Sequence, residues 1–72
     1  GIDDAWITSK VKTQLLADTD VGGTQITVET KANVVTLGGT ADTAAARAKA
    51  IEIATATKGV NKVVADSLVV QP

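Results

Sequence analysis

The only aromatic residue of this 72-residue chain is Trp6, and polar residues follow it at helical spacing. On a helix, Trp6, Lys10 and Thr13 share one face, and Lys12 adds charge nearby. An indole ring prefers the headgroup region of a bilayer, where a neighbouring ammonium group can meet lipid phosphate. The spacing therefore predicts a lipid-binding site at Trp6, Lys10 and Thr13. In the alternative interpretation Trp6 is a packing residue, folded over its own sheet or docked on a neighbouring domain.

Residue types that usually carry catalysis or bind cofactors are missing or badly spaced. The chain has no Cys and no His, so thiol chemistry and the commonest general base are excluded. The Asp18–Asp20 stretch lacks the ligand count and the closing Glu of a calcium loop. Neither glycine pair is followed by the spacing that a phosphate-binding loop requires. We therefore expect no catalytic residues, no cofactor and no metal.

Charge and hydropathy argue against nucleic acid as the main partner and against a membrane-spanning segment. The formal net charge of −1 argues against nucleic acid, which needs a concentrated basic surface. Basic and acidic residues alternate along the second half, which is typical of a solvated surface and not of a headgroup patch; they are Arg47, Lys49, Glu52, Lys58, Lys62 and Asp66. No apolar run reaches membrane-spanning length, and the first residues are not a basic-then-apolar leader. A removed signal peptide would leave no trace, so exported and cytosolic origins both stay open.

Two amphipathic helices and three strands must position these residues. Ile7, Val11 and Leu15 form one stripe of a helix over 4–17, with acidic residues at its N-terminus, and Trp6 lies about 140° from the stripe's centre. Residues 18–24 form a loop that contains the Gly22-Gly23 pair. A second helix starts with Asp42 as its N-cap and reaches Gly59. Its predicted buried arc holds Ala46, Ala50, Ile53, Ala54 and Thr57.

The strands are predicted from alternation and β-branched composition. Residues 25–30 and 34–40 form a hairpin around a three-residue turn at 31–33, in which Asn33 can adopt a left-handed conformation. Gly38-Gly39 indicates a bulge or a close approach to a helix. The last strand, within 60–70, shows no preferred inward face. The expected α+β fold is an αββαβ single domain: a three-stranded mixed sheet with the second strand central and both helices on one face.

This order and its segments resemble the BON domain (bacterial OsmY and nodulation), over nearly the whole chain. The segments are WITSKVKTQLL, ITVETKANVVTLGG, AAARAKAIEIATATKGVNKV and SLVV. The first helix is most similar to the OsmY and outer-membrane-lipoprotein branch. Two departures are Ala32-Asn33, where the family typically has Asn-Gly, and Gly38, where Ser is common.

The resemblance implies a periplasmic or outer-membrane-associated protein, usually with two copies of the domain, linked to envelope stress and phospholipid binding. Two alternatives to lipid binding stay open. A protein-interaction or chaperone-like module would hold extended chains on an exposed sheet edge or face. A structural spacer in a larger envelope protein would need no binding site at all.

Overall fold

A computed structural model describes residues 2–21 and 25–71 and has the predicted order of elements. The elements are α1 (Asp4–Ala17), β1 (Ile26–Lys31), β2 (Val34–Ala41), α2 (Ala44–Ala56) and β3 (Lys62–Val70). The strand order is β1-β2-β3, with β1 antiparallel and β3 parallel to β2. The α+β prediction is thus confirmed. The interpretation of Gly22-Gly23 as part of a loop falls outside the described residues.

Helix α1 has the predicted bounds and the predicted buried face. Ile7, Val11 and Leu15 are buried, as their spacing requires. The side chain of Asp3 caps the helix by accepting a hydrogen bond from the backbone N–H of Trp6 at 2.8 Å. The cap and the apolar stripe together fix both where the helix begins and which face it turns to the sheet.

The turn between β1 and β2 is one residue shorter than the sequence predicts. Lys31 pairs with Val34, so Lys31 is the last residue of β1 and not part of the turn. The two turn residues, Ala32 and Asn33, have φ angles of 50° and 66°. Two successive left-handed residues are the signature of a type I′ turn, whose twist matches that of the flanking strands. The left-handed conformation of Asn33 is confirmed.

A bulge in β3 explains why alternation did not select an inward face. The register with β2 runs Thr36 to Val64 and then Gly38 to Ser67, so β3 holds one extra residue. Before the bulge Val63 packs against the core, whereas after it the buried residue is Leu68. The β3 side chains that point toward the core therefore belong to odd-numbered residues before the bulge and to even-numbered residues after it.

The glycine pair of β2 lies close to neighbouring strands and not to a helix. A Cβ atom on Gly38 would lie 2.8 Å from the hydroxyl oxygen of Thr27 on β1. Gly39 has a φ of 91°, and a Cβ there would collide with the carbonyl oxygen of Gln25. The two glycines are therefore needed because the backbone of β2 lies close to β1 and to the residue before it. The predicted close approach to a helix is wrong.

Helix α2 begins one residue later than predicted. Thr43, not Asp42, is the N-cap, and its hydroxyl accepts a hydrogen bond from the N–H of Ala46 at 3.0 Å. Ala46, Ala50 and Ala54 are buried, as expected, and Ile53 is only partly buried against the core. The helix ends at Ala56, three residues before Gly59, which has a φ of 94° in the following turn.

Candidate functional site

The outer face of α1 carries the three residues that the sequence singles out. Trp6 is 45% exposed, and Lys10 and Thr13 are also exposed. They fall within an arc of about 60° on the helical wheel, opposite the buried stripe. The Thr13 hydroxyl donates to the carbonyl oxygen of Ser9 at 2.8 Å, so Thr13 offers a ligand acceptor oxygen and not a free donor. Lys10 is the donor of this face.

The structure places Lys58 beside Trp6, which sequence reasoning missed. A shallow depression at the start of α1 is lined by Ile2, Asp3, Trp6 and Lys58, and is named here the Trp6 corner. Lys58 follows the end of α2, so only tertiary packing brings it to Trp6. No local periodicity signals such a contact between distant segments. The corner brings together an indole, an ammonium group, an aliphatic side chain and the carboxylate that caps α1.

A hydrogen-bonded junction holds the two sides of the Trp6 corner together. The Asp4 carboxylate accepts from the N–H groups of Ala32 and Asn33 at 3.0 and 3.1 Å. The Asn33 side chain donates to the carbonyl oxygens of Gly59 at 2.8 Å and of Ile2 at 3.4 Å. The start of α1, the hairpin turn and the segment after α2 are therefore tied to one another. This junction fixes the backbones that bear Trp6 and Lys58.

Lysines and aspartates are distributed unevenly between the two ends of the domain, although the formal net charge is only −1. The end with the Trp6 corner carries lysines at the end of β1, after α2 and at the start of β3; they are Lys31, Lys58 and Lys62. Aspartates follow α1 and β2 at the other end; they are Asp18, Asp20 and Asp42. Asp3 and Asp4 share the basic end, where both carboxylates accept backbone N–H groups. With three lysines against two aspartates, the end with the Trp6 corner is slightly basic, whereas the other end is acidic.

A second exposed apolar residue on α1, Leu16, was not identified from sequence. Its side chain is 63% exposed, the largest value among the exposed large hydrophobic residues of the described chain. The signal was available, because Leu15 belongs to the buried stripe and its neighbour must lie about 100° away. Leu16 extends the apolar character of the outer face beyond Trp6.

Comparison with known proteins agrees with the resemblance found in the sequence. Residues 3–72 match the BON domain family. The chain belongs to this family. A protein named 21 kDa hemolysin from Actinobacillus pleuropneumoniae is 43% identical over 61 residues, which are 85% of this chain and 31% of that protein. This BON domain therefore spans about a third of the length of the curated relative that it matches.

Membership in the BON family identifies this chain as a binding-type domain. BON domains are a binding-type and not an enzymatic family, and they are associated with phospholipid binding. Proteins with this domain are typically periplasmic or envelope-associated. Neither helix among residues 2–21 and 25–71 is long and apolar enough to cross a bilayer. Within the same residues no group of three His, Cys, Asp or Glu side chains could hold a metal ion.

The basic residues of the second half do not form one patch in this BON domain. Arg47 donates from Nε to the carbonyl oxygen of Leu68 at 2.8 Å and from Nη2 to that of Ala65 at 2.9 Å. The N–H of Gln71 donates to Ala41 on β2, so by alternation the carbonyl of Leu68 points to the free edge of β3. Arg47 therefore covers a sheet edge and is not a solvated charge, which corrects the sequence-based interpretation.

One face of the sheet has no element over it within the described residues. Val34, Thr36 and Val64 are partly buried on this open face, and Val69 is 55% exposed. Both helices contact the other face, where the buried Val35 and Leu37 lie. The open face is the surface that the chaperone-like alternative would use.

Proposed function

We propose that this BON domain binds reversibly to phospholipid surfaces through the outer face of α1. Trp6 enters the headgroup region, Lys10 contacts lipid phosphate, and Thr13 lies beside them at the interface. The observation that carries the proposal is the exposure of the chain's only aromatic side chain, 45%, on a helix whose opposite face is fully buried. An indole that is half exposed combines an apolar ring with an N–H group that stays hydrated, which suits the boundary between water and lipid.

The site of action is the periplasm or the outer membrane, where the domain takes part in the response to envelope stress. The family association with phospholipid and the envelope supports this placement.

The affinity of a single domain for a phospholipid surface is expected to be low. One interfacial Trp and one or two Lys side chains contribute on the order of a few kcal/mol in total. A single domain therefore binds weakly, and useful residence needs a second domain or an anchor that raises the effective concentration. The matched relative is about three times as long as the aligned part, which leaves room for such an element there.

Co-sedimentation with liposomes tests the proposal. Trp6→Ala should abolish pelleting with anionic vesicles, whereas Val69→Ala removes exposed apolar surface from the open sheet face and should leave pelleting unchanged. In the wild-type protein, vesicles should shift Trp6 emission to the blue and protect it from an aqueous quencher. Equal pelleting of Trp6→Ala and wild type would overturn the proposal.

A second candidate function is a protein-interaction or chaperone-like module for envelope proteins. The open sheet face favours it, because Val64 and Val69 offer apolar surface to an extended chain. Arg47 covers part of the β3 edge, so the face is the better surface for a client than that edge. Val69→Ser should weaken suppression of client aggregation without vesicles, while Trp6→Ala should not. The opposite pattern would reject this candidate.

A further inference from the structure

We propose that Lys58 is the phosphate-binding residue of the Trp6 corner and gives the domain its preference for anionic phospholipid. This rests on the proposed function and extends it from one face of α1 to a corner built by both helical segments. The ligand is the phosphodiester of an anionic bilayer lipid, whose charge Lys58 neutralises while Trp6 sets the depth of insertion.

The first argument is the position of Lys58. Lys58 and Trp6 line the same depression, together with Ile2 and Asp3. An ammonium group at the rim of a site with an indole wall suits a headgroup, because the indole occupies the interface while the charge meets phosphate. Lys10, by contrast, lies one turn along α1 and does not line this depression.

The second argument is that the charge of Lys58 is available to a ligand. In the described part of the chain the one ion pair joins Lys49 and Glu52 at 3.9 Å, and Lys58 is exposed with no carboxylate partner there. An ammonium group without an ion-pair partner gives up only part of its hydration when it contacts a lipid phosphate, whereas a paired one must also leave its partner. The junction through Asn33 holds Gly59, the next residue, so the backbone beside Lys58 is already positioned.

The charges around the corner are the third argument. Lys31 and Lys62 lie at the same end of the domain as Lys58, and the two aspartates of that end, Asp3 and Asp4, accept hydrogen bonds from backbone N–H groups. This end can therefore meet an anionic surface, although the formal net charge of the chain is −1.

Three lysine-to-glutamine variants test the assignment on vesicles with and without anionic lipid. Lys58→Gln removes the proposed contact. Lys62→Gln removes a charge at the same end but on the open side of the sheet, and Lys49→Gln removes one on α2 away from the corner. We expect Lys58→Gln to weaken binding to anionic vesicles about fivefold, the usual contribution of one Lys at such a surface. Lys49→Gln should change it less than about twofold, and Lys62→Gln should weaken it less than Lys58→Gln does, because Lys62 faces the open side of the sheet.

The outcomes separate this inference from the proposed function. If Trp6→Ala abolishes binding but Lys58→Gln weakens it no more than Lys62→Gln, the Lys58 assignment is wrong and the α1 face stands. If Lys58→Gln weakens binding to zwitterionic vesicles as strongly as to anionic ones, the preference for anionic lipid is refuted. If Trp6→Ala binds like wild type, both proposals fail. Thermal unfolding should be the same for all three lysine variants, because each side chain is at the surface.

Discussion

Replacing Ala32 with glycine should stabilise the domain, although glycine usually destabilises. Ala32 is the first residue of the type I′ turn and has a φ of 50°. A left-handed conformation costs a residue with a Cβ about 1–2 kcal/mol, which glycine does not incur. Against this, the greater freedom of glycine in the unfolded chain costs about 0.4–1 kcal/mol. The difference favours Ala32→Gly by about 0.5–1 kcal/mol.

The contacts of Ala32 do not change this sign. Its methyl group is exposed, so little burial is lost. The hydrogen bond from its N–H to Asp4 belongs to the backbone and survives the substitution. In a domain of this size, a gain of about 0.5–1 kcal/mol corresponds to a rise in Tm of roughly 2–8 °C.

Thermal and urea unfolding followed by circular dichroism measure the effect, with Ala48→Gly as the control. Ala48 is exposed in the middle of α2, where the same substitution should cost about 1 kcal/mol. One chemical change thus has opposite signs at two exposed positions, because only the backbone conformation differs. An unchanged or lower Tm for Ala32→Gly, with Ala48→Gly destabilised as expected, would refute the reasoning.

Three further predictions address the core, the sheet edge and the outer face of α1. Leu15→Ala should lower the free energy of unfolding in urea by about 2–4 kcal/mol, because it leaves a cavity in the core. Leu16→Ala, next in sequence but exposed, should lower it by less than about 0.5 kcal/mol. Equal effects would contradict the assignment of Leu15 to the buried stripe. Arg47→Gln should cost about 1–3 kcal/mol in the same assay, since two carbonyl groups of β3 lose a charged donor, and Lys49→Gln should be near neutral. Trp6 emission in buffer should be red-shifted and open to quencher, and a blue, protected spectrum without lipid would show Trp6 to be a packing residue.

Much of the fold follows from short-range patterns in the sequence. The spacing of Ile7, Val11 and Leu15 determined the bounds and buried face of α1, and thereby the outward position of Trp6. Alternation in residues 26–29 and 34–37 indicated the two strands and which of their side chains share a face, although the turn between them is one residue shorter than predicted. These features are predictable because a helix or strand sets the direction of each side chain from its own backbone, before any tertiary contact forms.

Tertiary structure decided what depends on contacts between distant segments. The β3 bulge reverses the inward parity of that strand, Arg47 covers the edge of β3, and the Asp4 carboxylate binds the hairpin turn. Most of all, Lys58 and Trp6 line the same depression only because both helices lie on one face of the sheet and α2 ends where α1 begins. Periodicity describes one element at a time, whereas such contacts depend on how elements pack in three dimensions. The sequence thus determined that Trp6 faces outward, and the packing of α1 and α2 determined which charge stands beside it.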